Sequence, residues 1–220
     1  MSGRVHIKEI TRVQGGYRID VATLATPLVV TRELVEKHRL KEGIVITAAQ
    51  LEQLQHEAEL GMCDREVGRL LAMREHSVGE VKAKLARKQF GSEVVNRTID
   101  KYRKQGLLDD AHYAQAIARR LLERNPCGQA YLVASLRRKL IDRALAEKTA
   151  EFLLAGRDEV ELARTALEKR WSRFGQFELE TARRKAYNYL SRRGIGYAAA
   201  KTAFETLYSA RKVSEEDKDI

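Results

Sequence analysis

Proline and cysteine are scarce in this chain of 220 residues, which contains two of each. So few prolines favour helices over long loops. Cys63 and Cys127 stand outside any Cys-x-x-Cys pair, which argues against a disulfide framework and a zinc knuckle. No apolar run reaches the roughly 20 residues that span a bilayer, and no signal-peptide core follows Met1. We therefore expect a soluble, cytoplasmic protein with no membrane partner.

Motifs that carry catalysis are also missing. The chain has no Gly-x-x-x-x-Gly-Lys-Ser/Thr loop, no Gly-x-Gly-x-x-Gly turn after a strand, no His-Glu-x-x-His and no histidine pair at helical spacing. Asp109-Asp110 is the one acidic pair in a distinctive setting, but a two-metal nuclease would need further carboxylates. Because the pair lies at a predicted helix start, capping explains it more simply. We therefore expect that the protein is not an enzyme and that it has neither a cofactor nor a metal site.

Positive charge is abundant and lies in one part of the chain. The formal net charge is +10 and the pI is about 9.7. Residues 1–60 hold 8 basic and 8 acidic side chains, whereas residues 61–213 hold 32 and 19, for a net charge of +13. The last seven residues, 214–220, have a net charge of −3 and predict a short disordered tail. The excess favours a polyanionic partner, most often nucleic acid.

The first sixty residues predict a small β-rich module with one inserted helix. Apolar residues alternate with period two on both sides of a predicted Gly15-Gly16 turn, as in a hairpin: Val5, Ile7, Tyr17, Ile19 and Val21. A short apolar run, a helix and a further strand are predicted in turn at 28–30, 31–40 and 44–46.

From residue 48 onward the period is helical. Three capping patterns predict helix starts: Thr47 with Gln50, Ser77 with Glu80, and Asp158 with Glu161. Asp109-Asp110 marks another start, and Gly91-Ser92 separates two helices. Three apolar stripes predict buried helix faces: Tyr113, Ile117 and Leu121; Leu132, Leu136 and Leu140; and Leu179, Ala182, Ala186, Tyr189 and Leu190.

A motif of Leu-x-x-Lys/Arg-x-apolar occurs three times, starting at Leu85, Leu136 and Leu190. The positions five and nine residues after its last apolar residue are also apolar: Val95, Ala146 and Ala200, then Ile99, Ala150 and Phe204. A helix precedes each motif, at 66–73, 111–123 and 159–171. This repeat predicts a mainly α chain, in which the β-rich module 1–60 precedes an elongated array of three-helix modules at 61–108, 109–157 and 158–213.

Basic clusters recur through all three predicted modules. Any one of them is explained by a solvated helix face, but six in a region of net charge +13 fit a surface that follows a phosphate backbone. No base-reading helix stands out, so sequence-specific readout is not indicated. The candidate DNA- or protein-binding residues are Arg87, Lys88, Arg103, Lys104, Arg119, Arg120, Arg137, Arg138, Lys139, Arg183, Arg184, Lys185, Arg192 and Arg193.

Across about residues 63–208 the chain resembles the RecX family of recombinase regulators. The motifs that carry the resemblance are Arg74-Glu75-His76-Ser77-x-x-Glu80-Val81, Gly106-Leu107-Leu108-Asp109-Asp110-x-x-Tyr113-Ala114, Gly128-x-x-Tyr131-Leu132-x-x-x-Leu136 and Tyr189-Leu190-x-x-Arg193-Gly194-Ile195. In the family a Lys/Arg-Gly-apolar turn closes each middle helix. Gly194 keeps it, whereas Gln89 and Leu140 replace the glycine, so we expect those two turns to close differently.

The resemblance implies a monomeric regulator that binds the RecA recombinase. Its partner would be the RecA filament on single-stranded DNA, with double-stranded DNA as a further partner. It would lie in the filament groove and limit filament growth or recombinase activity, with no catalysis and no cofactor. Two alternatives remain open on the residues alone: an autonomous DNA-binding protein built from helix-turn-helix-like modules, and a nuclease using Asp109 and Asp110.

Overall fold

The computed structural model of the chain describes residues 4–216, which divide after Leu108 into two compact units. The first unit begins with four short strands and one short helix, which are β1 (Arg4–Val13), β2 (Gly16–Val21), β3 (Leu28–Val30), α1 (Arg32–Lys37) and β4 (Val45–Thr47). The strands form one antiparallel sheet in the order β3-β2-β1-β4. The chain is otherwise helical, as predicted.

The hairpin between β1 and β2 turns at Gln14-Gly15, where Gly15 has a φ of +84°. The predicted turn at Gly15-Gly16 is therefore displaced by one residue, and Gly16 is the first residue of β2. A side chain at Gly16 would collide with β3, because a Cβ there would lie 2.3 Å from the carbonyl oxygen of Val30. Four of the five predicted alternating residues are buried in one hydrophobic cluster, namely Val5, Ile7, Ile19 and Val21, whereas Tyr17 is half-buried against it.

The helix α2 runs without a break from Ala48 to Met73. Its first half buries Leu51, Leu54 and Ala58 in the hydrophobic cluster of the sheet, and its second half buries Cys63 and Val67 in the next cluster. The prediction of a separate helix that begins at Glu66 is therefore wrong. The helix continues because neither a proline nor a residue with left-handed backbone interrupts residues 48–73. The predicted boundary after residue 60 falls inside this helix.

The remaining helices of the first unit are α3 (Val78–Arg87) and α4 (Ser92–Lys104). The second unit contains α5 (Asp110–Arg124), α6 (Gln129–Arg137), α7 (Arg143–Leu154), α8 (Glu159–Glu168), α9 (Leu179–Ser191) and α10 (Tyr197–Glu216). The helix predicted over 159–171 ends earlier, and a 3-10 turn at Trp171–Arg173 follows it. Residues 214–216 of the predicted tail belong to α10, and residues 217–220 lie outside the described residues.

Side chains at the predicted helix starts satisfy the unpaired N–H groups of the first turn. Thr47 with Gln50 and Ser77 with Glu80 form complete capping boxes, which confirms both predictions. Asp158 caps α8 by accepting a hydrogen bond from the backbone N–H of Val160. Its predicted capping partner Glu161 instead forms an ion pair with Arg164.

The helices after the sheet enclose three hydrophobic clusters, whose buried residues lie at 63–108, 113–150 and 163–207. We call the helices around them the first, second and third modules. The leucine of each motif and both downstream apolar positions are buried in all three copies, which confirms the repeat as a packing pattern: Leu85, Leu136, Leu190, Val95, Ala146, Ala200, Ile99, Ala150 and Phe204. Of the apolar residues that end the motif, Ile141 and Ile195 are buried and Phe90 is half-buried. Each module therefore buries its own small core.

Three of the predicted apolar stripes need correction. In α5 the buried residues are Tyr113, Ala114, Ala118 and Leu122, whereas Ile117 and Leu121 are only half-buried. Leu140 and Leu179 are 49% and 44% exposed. Both lie at or beyond a helix end, where the helical period no longer determines which way a side chain points.

The same turn closes the middle helix of each module, and we call it the left-handed turn. Its central residue has a left-handed backbone, with φ of 62° at Gln89, 56° at Leu140 and 69° at Gly194. The next N–H donates to the carbonyl of the buried leucine: Phe90 to Leu85 (3.4 Å), Ile141 to Leu136 (3.3 Å) and Ile195 to Leu190 (3.2 Å). The expected difference between these turns is therefore wrong, because Gln89 and Leu140 adopt the conformation that favours glycine.

His76 is the buried histidine of the family motif, with 3% exposure. Its Nδ1 lies 2.9 Å from the carbonyl oxygen of Arg74, and its Nε2 lies 3.0 Å from the Lys84 ammonium. The neutral imidazole satisfies both contacts, since Nδ1–H donates to the carbonyl and Nε2 accepts from the ammonium. Burial, followed by the neighbouring cations, lowers the pKa of His76 below its usual 6.5.

Leu136→Ala should lower the free energy of unfolding by about 2–5 kcal/mol, because Leu136 has no exposed surface at the centre of the second cluster. Denaturant unfolding of the full chain measures the change. Leu140→Ala is the matched control and should shift stability by no more than about 0.5 kcal/mol, because this side chain is largely exposed. Equal losses in the two variants would contradict the burial of the middle helix.

Leu140→Gly should raise the free energy of unfolding by about 0.5–1 kcal/mol, because glycine adopts the left-handed conformation without the steric cost of a Cβ. Gly194→Ala should have the opposite effect, since its Cβ would also lie 3.0 Å from the backbone nitrogen of Tyr131. Thermal unfolding compares both variants with Leu140→Ala, which keeps the Cβ. A destabilised Leu140→Gly protein would show that Leu140 carries no backbone strain.

The free energy of unfolding should decrease as the pH falls below 6.5, the ordinary pKa of histidine. Because the folded state lowers the pKa of His76, the unfolded chain binds the proton more readily between the two pKa values. The stabilisation is present in full above pH 6.5 and is lost as the pH falls through the folded pKa. Denaturant unfolding from pH 5 to 8 should show this slope, which His76→Gln reduces and the exposed control His6→Gln keeps. An unchanged slope in His76→Gln would contradict the assignment.

Candidate binding surface

The fourteen candidate cations lie in different environments. Three are half-buried, namely Lys139, Arg183 and Arg193. The others are exposed: Arg87, Lys88, Arg103, Lys104, Arg119, Arg120, Arg137, Arg138, Arg184, Lys185 and Arg192. Most of these clusters lie in the last turn of a helix or directly after it, where a cation interacts favourably with the carbonyl end of the helix. Stabilisation of helix ends is therefore one reason why basic clusters recur, independent of any role in binding.

Lys88 is engaged in an ion pair inside the first module. Its Nζ lies 2.8 Å from a carboxylate oxygen of Glu66 on α2, and Arg69 contacts the same carboxylate at 2.7 Å. The hydrogen bond from Arg69, with that from Lys88, lowers the pKa of Glu66 to about 2. Lys88 thereby links the end of α3 to α2, and part of its charge is balanced before any partner binds.

The cluster of Arg137, Arg138 and Lys139 occupies the end of α6 and the left-handed turn of the second module. Arg137 donates to the carbonyl of Ile141 at 2.8 Å. Arg138 donates to the Ser135 hydroxyl at 2.9 Å, and its guanidinium lies 5.7 Å from the Tyr131 ring centre. Both arginines remain exposed and neither contacts a carboxylate of the described residues 4–216, so their charges are available to a partner.

Arg193 packs inside the second unit, where the second and third modules meet. Its guanidinium lies 4.8 Å from the Tyr189 ring centre and 5.7 Å from that of Tyr131. The carbonyl of Arg193 accepts a hydrogen bond of 2.9 Å from the backbone N–H of Gly128. A Cβ on Gly128 would lie 1.9 Å from the carbonyl oxygen of Gly194, so only glycine permits this contact. Arg193 therefore has a packing role in the structure.

Two arginines absent from the sequence-derived clusters, Arg170 and Arg173, lie beside candidate residues of the third module. Together with Lys185 and Arg192 they line a cavity of about 320 Å³, which we call the cationic pocket. In the sequence these two arginines belong to the segment from Lys169 to Arg173, which contains three cations and no acidic residue. The run begins directly after α8, which ends at Glu168, and it continues through the 3-10 turn.

The structure assigns Asp109 to helix capping. Its carboxylate accepts hydrogen bonds from the backbone N–H groups of Ala111 (2.8 Å) and His112 (3.0 Å), which confirms the capping interpretation. Within residues 4–216, no three His, Cys, Asp or Glu side chains are placed to hold a metal ion together. Both cysteines are buried, and burial raises the pKa of the Cys127 thiol to about 11. None of the described helices has the length and apolar character needed to cross a membrane.

Comparison with known proteins identifies the family. Residues 69–101 match the first three-helix domain of RecX, and residues 157–204 match its third three-helix domain. Regulatory protein RecX of Pelodictyon phaeoclathratiforme is 32% identical over 139 residues, which cover 63% of this chain and 84% of that protein. The RecX protein of Syntrophotalea carbinolica is 31% identical over 134 residues, covering 59% and 86%.

A solved structure extends the likeness of the fold to the N-terminal sheet. The crystal structure of a regulatory protein RecX superposes with a TM-score of 0.64 at 20% identity, covering 91% of this chain and 99% of that one. The repeated three-helix modules, the matched domains and the curated relatives agree with one another. The chain belongs to the RecX family of regulatory proteins.

Proposed function

We propose that this protein regulates the RecA recombinase by binding its filament on single-stranded DNA. It lies in the filament groove as a monomer and limits filament growth or recombinase activity. Membership of the RecX family, with 32% identity to a curated relative over 84% of that protein, is the observation that carries the proposal. Modules bounded at about 61–108, 109–157 and 158–213 would be the units that contact successive parts of the filament.

The distribution of charge supports a polyanionic partner. Exposed cations occur on all three modules, and the region that holds them has a net charge of +13. Arg119, Arg120, Arg138 and Arg184 have no carboxylate partner within ion-pair distance among the described residues. Such side chains interact with DNA phosphates or with acidic recombinase surfaces without first losing an internal ion pair.

RecA-dependent ATP hydrolysis on single-stranded DNA tests the proposed function. Adding the protein in amounts stoichiometric with RecA should lower the steady-state rate of hydrolysis, and the protein should sediment with the filaments. Binding to bare DNA with no association with filaments would favour the autonomous DNA-binding alternative. An unchanged rate together with no sedimentation would contradict the proposal.

Charge reversal of Arg137, Arg138 and Lys139 to Glu should weaken binding to filaments and reduce its dependence on salt. The logarithm of the affinity should lose roughly 0.7 from its slope against the logarithm of the salt concentration for each single-strand phosphate contact removed. The fold should persist, because Leu132 and Leu136 remain buried. Affinity at several salt concentrations, with circular dichroism as a check of folding, measures the effect.

The matched control reverses Lys8, Arg12 and Arg18, three exposed cations of the sheet, and changes the net charge by the same amount. It should leave affinity and salt slope near the values of the unmodified protein. Equal losses in both triple variants would mean that net charge, rather than the cluster, governs binding. A loss on filaments with full binding to bare DNA would assign the cluster to a contact with recombinase.

A further inference from the structure

The cationic pocket of the third module concentrates positive charge without a compensating acid. Arg170, Arg173, Lys185 and Arg192 line it, together with Asn188 and the ring of Tyr189. None of the four cations has a carboxylate within ion-pair distance in the described part of the chain. No acidic side chain lines the cavity either.

Other cations of this module form ion pairs. Arg164 contacts both Glu161 and Glu168, and Arg183 lies 2.7 Å from Glu180. The larger concavity between α9 and α10 contains acidic as well as basic side chains, so its charges are largely balanced. The four cations of the pocket lie close together without such partners, so binding an anion would relieve their mutual repulsion.

Three of the four cations, all except Arg173, are held in place by contacts that leave their charge intact. The Arg170 guanidinium lies 5.4 Å from the Tyr189 ring centre, and the Lys185 ammonium lies 4.1 Å from that of Phe177. Arg192 donates to the carbonyl of Asn188 at 3.1 Å. Cation–π contacts and a single backbone hydrogen bond orient these groups without neutralising them. A site arranged in this way loses little side-chain entropy when an anion binds.

We infer that the cationic pocket binds a phosphate of the DNA backbone. Guanidinium groups present paired N–H donors that match phosphate oxygens, and three of the four cations are arginines. The Tyr189 ring is already covered by the Arg170 guanidinium and the Phe174 ring is buried, so the pocket offers no surface for base stacking and reads no sequence. The inference rests on the proposed function for the identity of the polyanion, which is the single strand in the filament.

The test compares two double variants of the full chain. Arg173→Gln with Lys185→Gln removes two charges from the pocket, whereas the control Arg164→Gln with Lys201→Gln removes two ion-paired charges from the same module. Fluorescence anisotropy with a labelled oligothymidylate measures affinity over a range of salt concentrations. The pocket variant should bind at least about tenfold more weakly than the control. Its salt slope should fall by roughly 0.7, the value for one phosphate contact on a single strand.

A charge-conserving variant, Arg173→Lys with Lys185→Arg, should recover most of the affinity and the original slope. Equal affinities of the pocket and control variants would overturn the phosphate site while leaving filament binding unaffected. Loss of binding to RecA filaments with full binding to oligothymidylate would overturn it too, because the pocket would then contact recombinase. If the unmodified protein bound neither DNA nor filaments, the proposed function itself would be wrong. This result is distinguishable from the two outcomes that overturn only the phosphate site.

Discussion

The left-handed turn after each middle helix is the constraint on which the modules depend. The turn reverses the chain within three residues and satisfies the last carbonyl groups of the helix. It also points an apolar residue back toward the leucine that ends the buried stripe. Because only some fifty residues are available per module, a longer connection would leave too little chain to cover the core. Gln89 and Leu140 therefore adopt a backbone conformation that glycine adopts at lower cost.

The same turn explains why basic residues recur at these positions. A helix ends with unpaired carbonyl groups and a partial negative charge, which favour nearby cations. Lys88, Arg138 and Arg192 all lie there, and yet their surroundings differ. Lys88 is balanced by Glu66, whereas Arg138 and Arg192 contact only neutral oxygens or rings. Sequence clusters alone therefore overstate the binding surface, and the absence of an acidic partner is the better criterion.

Much of the fold could be predicted from the sequence, because its signals are local or periodic. Capping patterns located the starts of α2, α3, α5 and α8, and the repeat identified buried positions such as Ile99 and Phe204. The errors lie where the period was extended past a helix end, as at Leu140, or was aligned with a neighbouring face of the helix, as at Ile117 in α5. The continuity of α2 could not be predicted from the change in sequence pattern. The chain passes from the sheet to the first module without a break in the helix. The cationic pocket was missed because its residues come from two separate segments, which only the tertiary structure brings together.

The continuity of α2 also bears on how the N-terminal sheet contributes to function. One rigid helix buries Leu54 in the core of the sheet and Val67 in the core of the first module, so the two cores share an element. Glu59, midway along this helix, accepts a hydrogen bond of 2.6 Å from the backbone N–H of Gly91, the N-cap residue that precedes α4. Removing residues 1–60 would delete this contact and cut the helix in its middle. A loss of binding after such a truncation would therefore reflect damage to the first module as much as the loss of the sheet.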